Sequence, residues 1–156
     1  MKNINLELKM GFLISLLLGA YFLIMEIFGL SDVIYLKFVN IIIIIWVLNR
    51  TIKRNIENGK TTYLGNFGSG LITAFYGILF SILGLWIYVG VFRGSDYIDH
   101  LAASVIIGGG EVTLPQFCLA LLFEGLSSSF VLVFILMQKW KNVKNLNSKI
   151  EIKQAP

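Results

Sequence analysis

The chain has 156 residues, of which 56% are hydrophobic and only 14% are charged, and its formal net charge is +4. This composition lies far from that of soluble domains and excludes an ordinary water-soluble globular fold. The apolar residues fall in long runs rather than in short alternating segments, which excludes a membrane β-barrel. Helices are therefore the predicted spanning elements, because a helix pairs its own backbone groups inside hydrocarbon.

The long apolar runs predict four transmembrane helices in an antiparallel bundle, because about 20 residues are needed to cross the hydrocarbon core. The second run is the shortest and contains Lys37 and Asn40. The predicted spans are residues 11–30, 33–48, 70–92 and 116–138. We therefore expect an all-α membrane domain over residues 11–138, between a cytoplasmic N-terminus at 1–10 and a basic cytoplasmic tail at 139–156.

Between the third and fourth spans, residues 95–107 have the pattern of a short amphipathic helix. The segment opens with Ser95, a helix-capping residue type, and has Asp96 in its first turn. Apolar residues then recur at helical spacing until glycines 108–110 end the pattern. We expect this helix to lie on the periplasmic side, on the membrane or against the bundle.

Lysine and arginine are distributed unevenly between the two sides of the predicted membrane domain. Eleven of the 13 fall on the side of the termini and of the loop between spans two and three, whereas only Arg93 falls in a segment on the other side. Positive residues stay on the cytoplasmic side during insertion, so both termini should be cytoplasmic. The basic character then requires no nucleic-acid partner. The predicted partners are the lipid bilayer and either a second copy of the chain or another membrane protein.

Small residues follow a heptad-like spacing in the third predicted span. They recur at intervals of 4, 3, 4 and 3 residues. Helix association in membranes relies on close backbone approach, and small residues at this spacing create a groove for a neighbouring helix. The stripe consists of Gly70, Ala74, Gly77, Ser81 and Gly84. We therefore expect the third span to be the central packing helix.

Polar groups also occur within the predicted spans, namely Glu26, Lys37, Asn40 and Glu124. An acidic side chain near the bilayer centre costs about 2.5–3.5 kcal/mol on insertion scales, so it should be neutralised, paired or hydrated. Counted from the span ends, Glu26, Lys37 and Glu124 lie in the outer half of the bundle and are predicted to meet, with Asn40 completing the hydrogen bonds. Two hypotheses stay open: a structural cluster, or a proton or cation site.

The sequence offers little support for catalysis. His100 is the only histidine and Cys118 the only cysteine. Zinc sites and Ser-His or Cys-His nucleophiles therefore lack members. We predict no catalytic, metal or cofactor site, and expect that the protein is not an enzyme.

The segments MGFLISLLLGAYFL and TTYLGNFGSGLITAFYGILFSILGLWIYV, with a short hairpin to the second span and a Lys-rich end after the fourth, resemble domain-of-unknown-function family 4199. The resemblance implies a small four-span protein of the bacterial inner membrane, and it transfers no functional residues. The resulting hypothesis is a non-enzymatic membrane subunit or scaffold. The alternative is a small proton- or cation-coupled transporter or channel component that uses Glu26, Lys37 and Glu124.

Overall fold

Four α-helices make up the part of the chain that the structure describes. The structure is a computed structural model, and it describes residues 4–30, 35, 37–94, 97 and 113–141. The helices are α1 (Ile4–Ile27), α2 (Lys37–Glu57), α3 (Tyr63–Tyr88), which continues into a π-helical turn (Val89–Arg93), and α4 (Leu114–Trp140). The predicted amphipathic helix at 95–107 lies outside the described residues except for Tyr97, as does the predicted tail beyond Lys141.

The prediction of an all-helical fold is confirmed, and three of these helices are long and apolar enough to cross a membrane. They cover Asn5–Ile27, Tyr63–Arg93 and Leu114–Trp140. The predicted second span at 33–48 is not confirmed. From Lys37 to Leu48, α2 rises only about 18 Å, against about 30 Å of hydrocarbon. Charged side chains follow within the same helix, at Arg50, Lys53 and Arg54.

Glycines end α1 and α2 in the same way. Gly29 and Gly59 adopt the left-handed φ values of 63° and 82°, which a glycine reaches without steric cost. After α2, the Gly59 N–H donates to the carbonyl of Ile56 and the Lys60 N–H donates to that of Asn55. The same pair of bonds closes α1 around Gly29. Both helices therefore end in Schellman motifs, which pair the last carbonyls and turn the chain sharply.

Hydrogen bonds between helices show which ends lie together. At one end, which we call the basic end, Trp140 Nε1 of α4 donates to Asn49 Oδ1 of α2 over 2.9 Å. Gln138 Nε2 of α4 donates to the Tyr63 hydroxyl of α3 over 3.4 Å at the same end. Because Ser69 of α3 also bonds to Glu7 of α1, the starts of α1 and α3 lie beside the second half of α2 and the end of α4. At the opposite end, Val89 packs with Phe117 near the start of α4.

All four helices contribute to one apolar core. Its buried members are Met10 and Ile14 of α1, Val47, Leu48 and Ile52 of α2, Ala74 of α3, and Val133, Leu136 and Met137 of α4. Most other large apolar side chains point outward; Phe12 and Leu16 of α1 and Phe134 of α4 are at least half exposed. An apolar exterior around a small core is the arrangement that lipid solvation favours.

The contact between α1 and α3 is close because glycines face each other there. A Cβ atom added at Gly11 would lie 2.9 Å from the carbonyl oxygen of Thr73 and 3.0 Å from the backbone nitrogen of Gly77. A Cβ atom added at Gly77 would lie 2.9 Å from Ile14 Cγ2. On the other side of α3, one added at Gly70 would lie 2.9 Å from Val133 Cγ1. α3 therefore packs closely against both α1 and α4.

Candidate functional site

A buried carboxylate lies near the basic end, where α1, α2 and α3 meet. The Ser69 hydroxyl of α3 donates to Glu7 Oε1 over 2.7 Å, and it accepts a hydrogen bond from Asn55 Nδ2 of α2 over 2.7 Å. The exposed fractions of Glu7, Asn55 and Ser69 are 4%, 1% and 7%. We call these three residues the basic-end network. It joins three helices through one hydroxyl group.

The polar contacts continue from this network toward the connection between α2 and α3. Lys60 Nζ donates to Asn55 Oδ1 over 3.4 Å, and Asn66 Nδ2 donates to the carbonyl oxygen of Lys60 over 2.7 Å. Two buried oxygens, Glu7 Oε2 and Asn66 Oδ1, have no hydrogen-bond partner in the part of the chain that the structure describes. Each therefore retains capacity to accept a hydrogen bond.

A cleft of about 320 Å³ opens at the basic end beside Asn66. The hydroxyl-bearing residues Thr61 and Thr62 and the basic residue Lys141 line it together with apolar groups of Ile56 and Met137. Hydroxyl and ammonium groups therefore border an apolar wall in this cleft.

At the opposite end, Glu26 of α1 is bound by two side chains that follow α3. Arg93 Nη2 forms an ion pair with Glu26 Oε1, and the Tyr97 hydroxyl donates to Glu26 Oε2 over 2.7 Å. Arg93 Nε also donates to the Tyr88 hydroxyl over 3.0 Å. We call Glu26, Tyr88, Arg93 and Tyr97 the arginine cluster. It fixes the end of α1 to the end of α3.

The π-helical turn places Arg93 in this cluster. In a π-helix, residues five apart are joined by backbone hydrogen bonds, and Gly94 N–H indeed donates to the Val89 carbonyl over 2.9 Å. Tyr88 and Arg93, also five apart, consequently stand close enough for their side chains to bond. The guanidinium carbon of Arg93 lies 5.0 Å from the ring centre of Tyr97, within cation–π range.

Burial raises the pKa of the Tyr97 phenol, and its hydrogen bond to Glu26 raises that pKa further. Burial disfavours the charged phenolate, and only the neutral phenol can donate the hydrogen bond to the carboxylate, so both effects favour the neutral form. Tyr97 is therefore a lasting donor to Glu26 over the physiological pH range.

Glu124 of α4 is exposed on the outside of the helices. Ser127 and Ser128, one turn further along, are exposed as well, and Ala120, one turn before, is half-buried. Residues spaced three and four apart share one side of a helix. We call Ala120, Glu124, Ser127 and Ser128 the polar strip. It runs along the outer surface of a helix that is long and apolar enough to cross a membrane.

The predicted cluster of Glu26, Lys37, Asn40 and Glu124 has a different setting in the structure. Glu26 binds Arg93 and Tyr97, neither of which belongs to the predicted set. Asn40 is half-buried, and its Oδ1 has no hydrogen-bond partner among the described residues. The side chain of Lys37 lies outside what the structure describes.

The predicted small-residue stripe of α3 is buried in its first half. Gly70, Ala74 and Gly77 are buried, whereas Ser81 is half-buried and Gly84 is exposed. A Cβ atom added at Gly84 would meet nothing within 4 Å. The close contacts of α3 therefore concentrate in the half of the helix nearer the basic end.

Sequence reasoning missed Glu7 and the role of Arg93. Glu7 precedes the apolar run at 11–30 that predicts the first span, so it falls in the predicted cytoplasmic N-terminus, although α1 begins at Ile4. The signal that was available is a helical phase: Glu7, Gly11 and Ile14 are spaced 4 and 3 apart, which places the carboxylate on the same side as the packing glycine.

No known protein family, curated protein or solved structure matches the chain. The resemblance to domain-of-unknown-function family 4199 therefore stays a prediction. Within residues 4–30, 37–94 and 113–141, no three His, Cys, Asp or Glu side chains are grouped as ligands for a metal ion.

Proposed function

We propose that this protein is a non-enzymatic membrane subunit that associates with another membrane-embedded helix through the polar strip of α4. The observation that carries the proposal is the exposure of Glu124 on a helix long and apolar enough to cross a membrane. A subunit of this kind would contribute a rigid surface to an assembly rather than chemistry of its own.

The depth of Glu124 makes its exposure costly in lipid. Glu124 is the eleventh residue of α4, so it lies about 15 Å along a helix of about 40 Å. Centred in about 30 Å of hydrocarbon, this position is well inside the apolar layer. Placing an acidic group there costs about 2.5–3.5 kcal/mol. A second helix with hydrogen-bonding or basic groups would remove much of that cost.

The serines of the polar strip distinguish this surface from an isolated polar residue. A serine hydroxyl in a helix can bond to a carbonyl of its own preceding turn, so Ser127 and Ser128 need no external partner. A carboxylate cannot donate, and the backbone N–H groups around Glu124 are used within the helix. Glu124 is therefore the group that requires a partner, while the small serines leave room for one.

We further propose four spans, the second over residues 33–48. Both termini would lie in the cytoplasm of a bacterial cell, with the chain in its inner membrane. The support is the eleven-to-one division of Lys and Arg between the two sides. The segment at 95–107 would then be a periplasmic amphipathic helix.

Fusion reporters test the topology: a cytoplasmic reporter should be active after the tail and a periplasmic one near Asp96. Periplasmic activity at the tail would contradict it.

The subunit role is tested by the size of the detergent-solubilised protein from native membranes. The wild-type chain should migrate as a complex larger than one copy in its detergent micelle. The Glu124→Leu variant should migrate at the single-copy size, and its thermal unfolding temperature should equal or exceed that of the wild type. Leu119→Ala is the control, because Leu119 is exposed on the same helix but outside the polar strip. A wild-type protein that migrates as a single copy would refute the proposal.

A further inference from the structure

We infer that the cleft at the basic end binds the headgroup of a phospholipid that carries N–H donors, as phosphatidylethanolamine does. This site is separate from the polar strip. Met137, which lines the cleft, lies 13 residues beyond Glu124 on α4, and that spacing is about 20 Å along the helix. The inference is therefore independent of the proposed subunit role.

The cleft lies at the ends of two helices that can cross a membrane. Tyr63 is the first residue of one candidate span and Trp140 is the last residue of another, and both line the cleft. Tyrosine and tryptophan are enriched at the membrane–water interface, because each combines an apolar ring with a polar atom. This is the depth at which phospholipid headgroups lie. The apolar wall of the cleft, at Ile56 and Met137, suits the part of the lipid that follows the headgroup.

The start of α3 supplies donors for the phosphate. The first N–H group paired within this helix is that of Asn66, which donates to the Thr62 carbonyl over 3.1 Å. The N–H groups of residues 63–65 precede it and have no acceptor within the helix. Thr62, the residue that caps α3, forms no side-chain capping bond. Because Thr61 and Thr62 line the cleft, the positive end of the helix dipole and two hydroxyl groups border it.

Lys141 supplies the positive charge of the cleft. Its side chain is exposed after the end of α4 and lines the cleft, and no acidic side chain is among the described residues that line it. Lys60, which precedes Thr61, instead directs its ammonium group to Asn55 Oδ1 over 3.4 Å. A phosphate diester carries one negative charge, so the Lys141 ammonium group can balance it.

Asn66 distinguishes between headgroups, because it offers an acceptor where the other polar groups offer donors. Asn66 lines the cleft and is only 2% exposed. The Lys60 carbonyl holds its Nδ2 over 2.7 Å, and its Oδ1 has no hydrogen-bond partner among the described residues. A buried acceptor without a donor is costly, and a phosphate diester has only acceptors. The ammonium group of phosphatidylethanolamine can donate to Oδ1, whereas the trimethylammonium group of phosphatidylcholine has no N–H to donate.

Native mass spectrometry of the purified full-length chain tests this selectivity, because it measures lipid binding one molecule at a time. The titrants are phosphatidylethanolamine and phosphatidylcholine with identical acyl chains. The wild type should bind phosphatidylethanolamine about tenfold more tightly, because only this lipid offers a hydrogen bond to Asn66. Asn66→Ala should bind the two lipids equally. The ratio of affinities is taken within each variant, so a lower stability of Asn66→Ala does not enter the comparison.

Two lysine variants test the phosphate contact. Lys141→Met should weaken the binding of both lipids by a similar factor and leave their ratio unchanged. Lys139→Met is the matched control, because Lys139 is an exposed lysine near the same end of α4 that does not line the cleft. It should have little effect on either lipid. These measurements, together with the wild-type ratio, decide the inference even if Asn66→Ala does not fold.

Three results would overturn the inference. Equal affinity of the wild type for the two lipids would mean that Asn66 Oδ1 is satisfied in another way, for example by water. Equal losses in Lys141→Met and Lys139→Met would show general attraction to a basic surface. Displacement of the lipid by an equal concentration of glycerophosphoethanolamine, which has the same headgroup and no acyl chains, would show that a soluble phosphate ester occupies the cleft.

Discussion

Replacing Ser69 with alanine should destabilise the protein far more than the loss of one hydroxyl suggests. The Ser69 hydroxyl bonds to Glu7 and Asn55 at once, each over 2.7 Å, and all three side chains are more than nine-tenths buried. Removing the oxygen leaves a carboxylate oxygen and an amide N–H without their partner. An orphaned buried polar group costs about 1–3 kcal/mol, so the two together cost about 2–6 kcal/mol.

The decrease in the free energy of unfolding caused by Ser69→Ala is measurable by equilibrium unfolding in mixed micelles of a mild detergent and sodium dodecyl sulfate. Ser127→Ala is the matched control, because Ser127 is the same residue type in an exposed position of α4. Its effect should stay within about 0.5 kcal/mol. A second variant, Glu7→Gln, keeps an acceptor for Ser69 and removes a buried charge, so it should cost much less than Ser69→Ala.

If Ser69→Ala and Ser127→Ala lower the free energy of unfolding by equally small amounts, the prediction for Ser69 is refuted. That result would mean that Glu7 and Asn55 find other partners at little cost, and that the basic-end network does not hold α1, α2 and α3 together.

Three further predictions concern the rest of the molecule. Gly77→Leu should lower the thermal unfolding temperature strongly, because a side chain there meets Ile14 of α1. Gly84→Leu, on the same stripe but facing open space, should have little effect. Equal effects of the two variants would contradict the observed contacts. Arg93→Met should destabilise the protein, because the carboxylate of Glu26 then keeps the Tyr97 hydroxyl but loses its cation, and adding Glu26→Gln should recover part of the loss; simple additivity would show that the two groups do not interact. Because its folded-state pKa is raised, Tyr97 should contribute stability that is complete below about pH 10 and lost as the pH rises further; the Tyr97→Phe variant should lack this alkaline loss, and identical profiles would refute it.

The positions of the long helices could be predicted from the sequence because membrane insertion depends on length and hydropathy, which are local properties. The runs that predicted spans at 11–30, 70–92 and 116–138 correspond to α1, α3 and α4. α2 was harder, because its apolar first half and charged second half form one continuous helix. A helix can continue from an apolar stretch into a charged one, whereas a hydropathy pattern ends where the charged residues begin. The pattern therefore predicts only the first half of α2.

The partners of the polar side chains could not be predicted, because they depend on which helices become neighbours. Glu26 and Arg93 are 67 residues apart, and a π-helical turn whose sequence, VGVFR, looks like ordinary apolar helix brings them together. The count of charges leaves Arg93 as a lone cation on its side of the predicted domain and gives it no partner. Similarly, the spacing of small residues in α3 extends to Gly84, although the observed close contacts stop earlier.

The contact between Glu7 and Ser69 also has a consequence for synthesis. The two residues are 62 positions apart, and a ribosome adds about 5–20 residues per second, so α1 is made roughly 3–12 s before the serine that binds its carboxylate. Until the interval ends, Glu7 lacks the Ser69 hydroxyl, and the glycine surface at Gly11 has no complete α3 to cover it. Early intermediates of this chain should therefore depend on the translocon or a membrane chaperone to shield the N-terminal helix until α3 arrives.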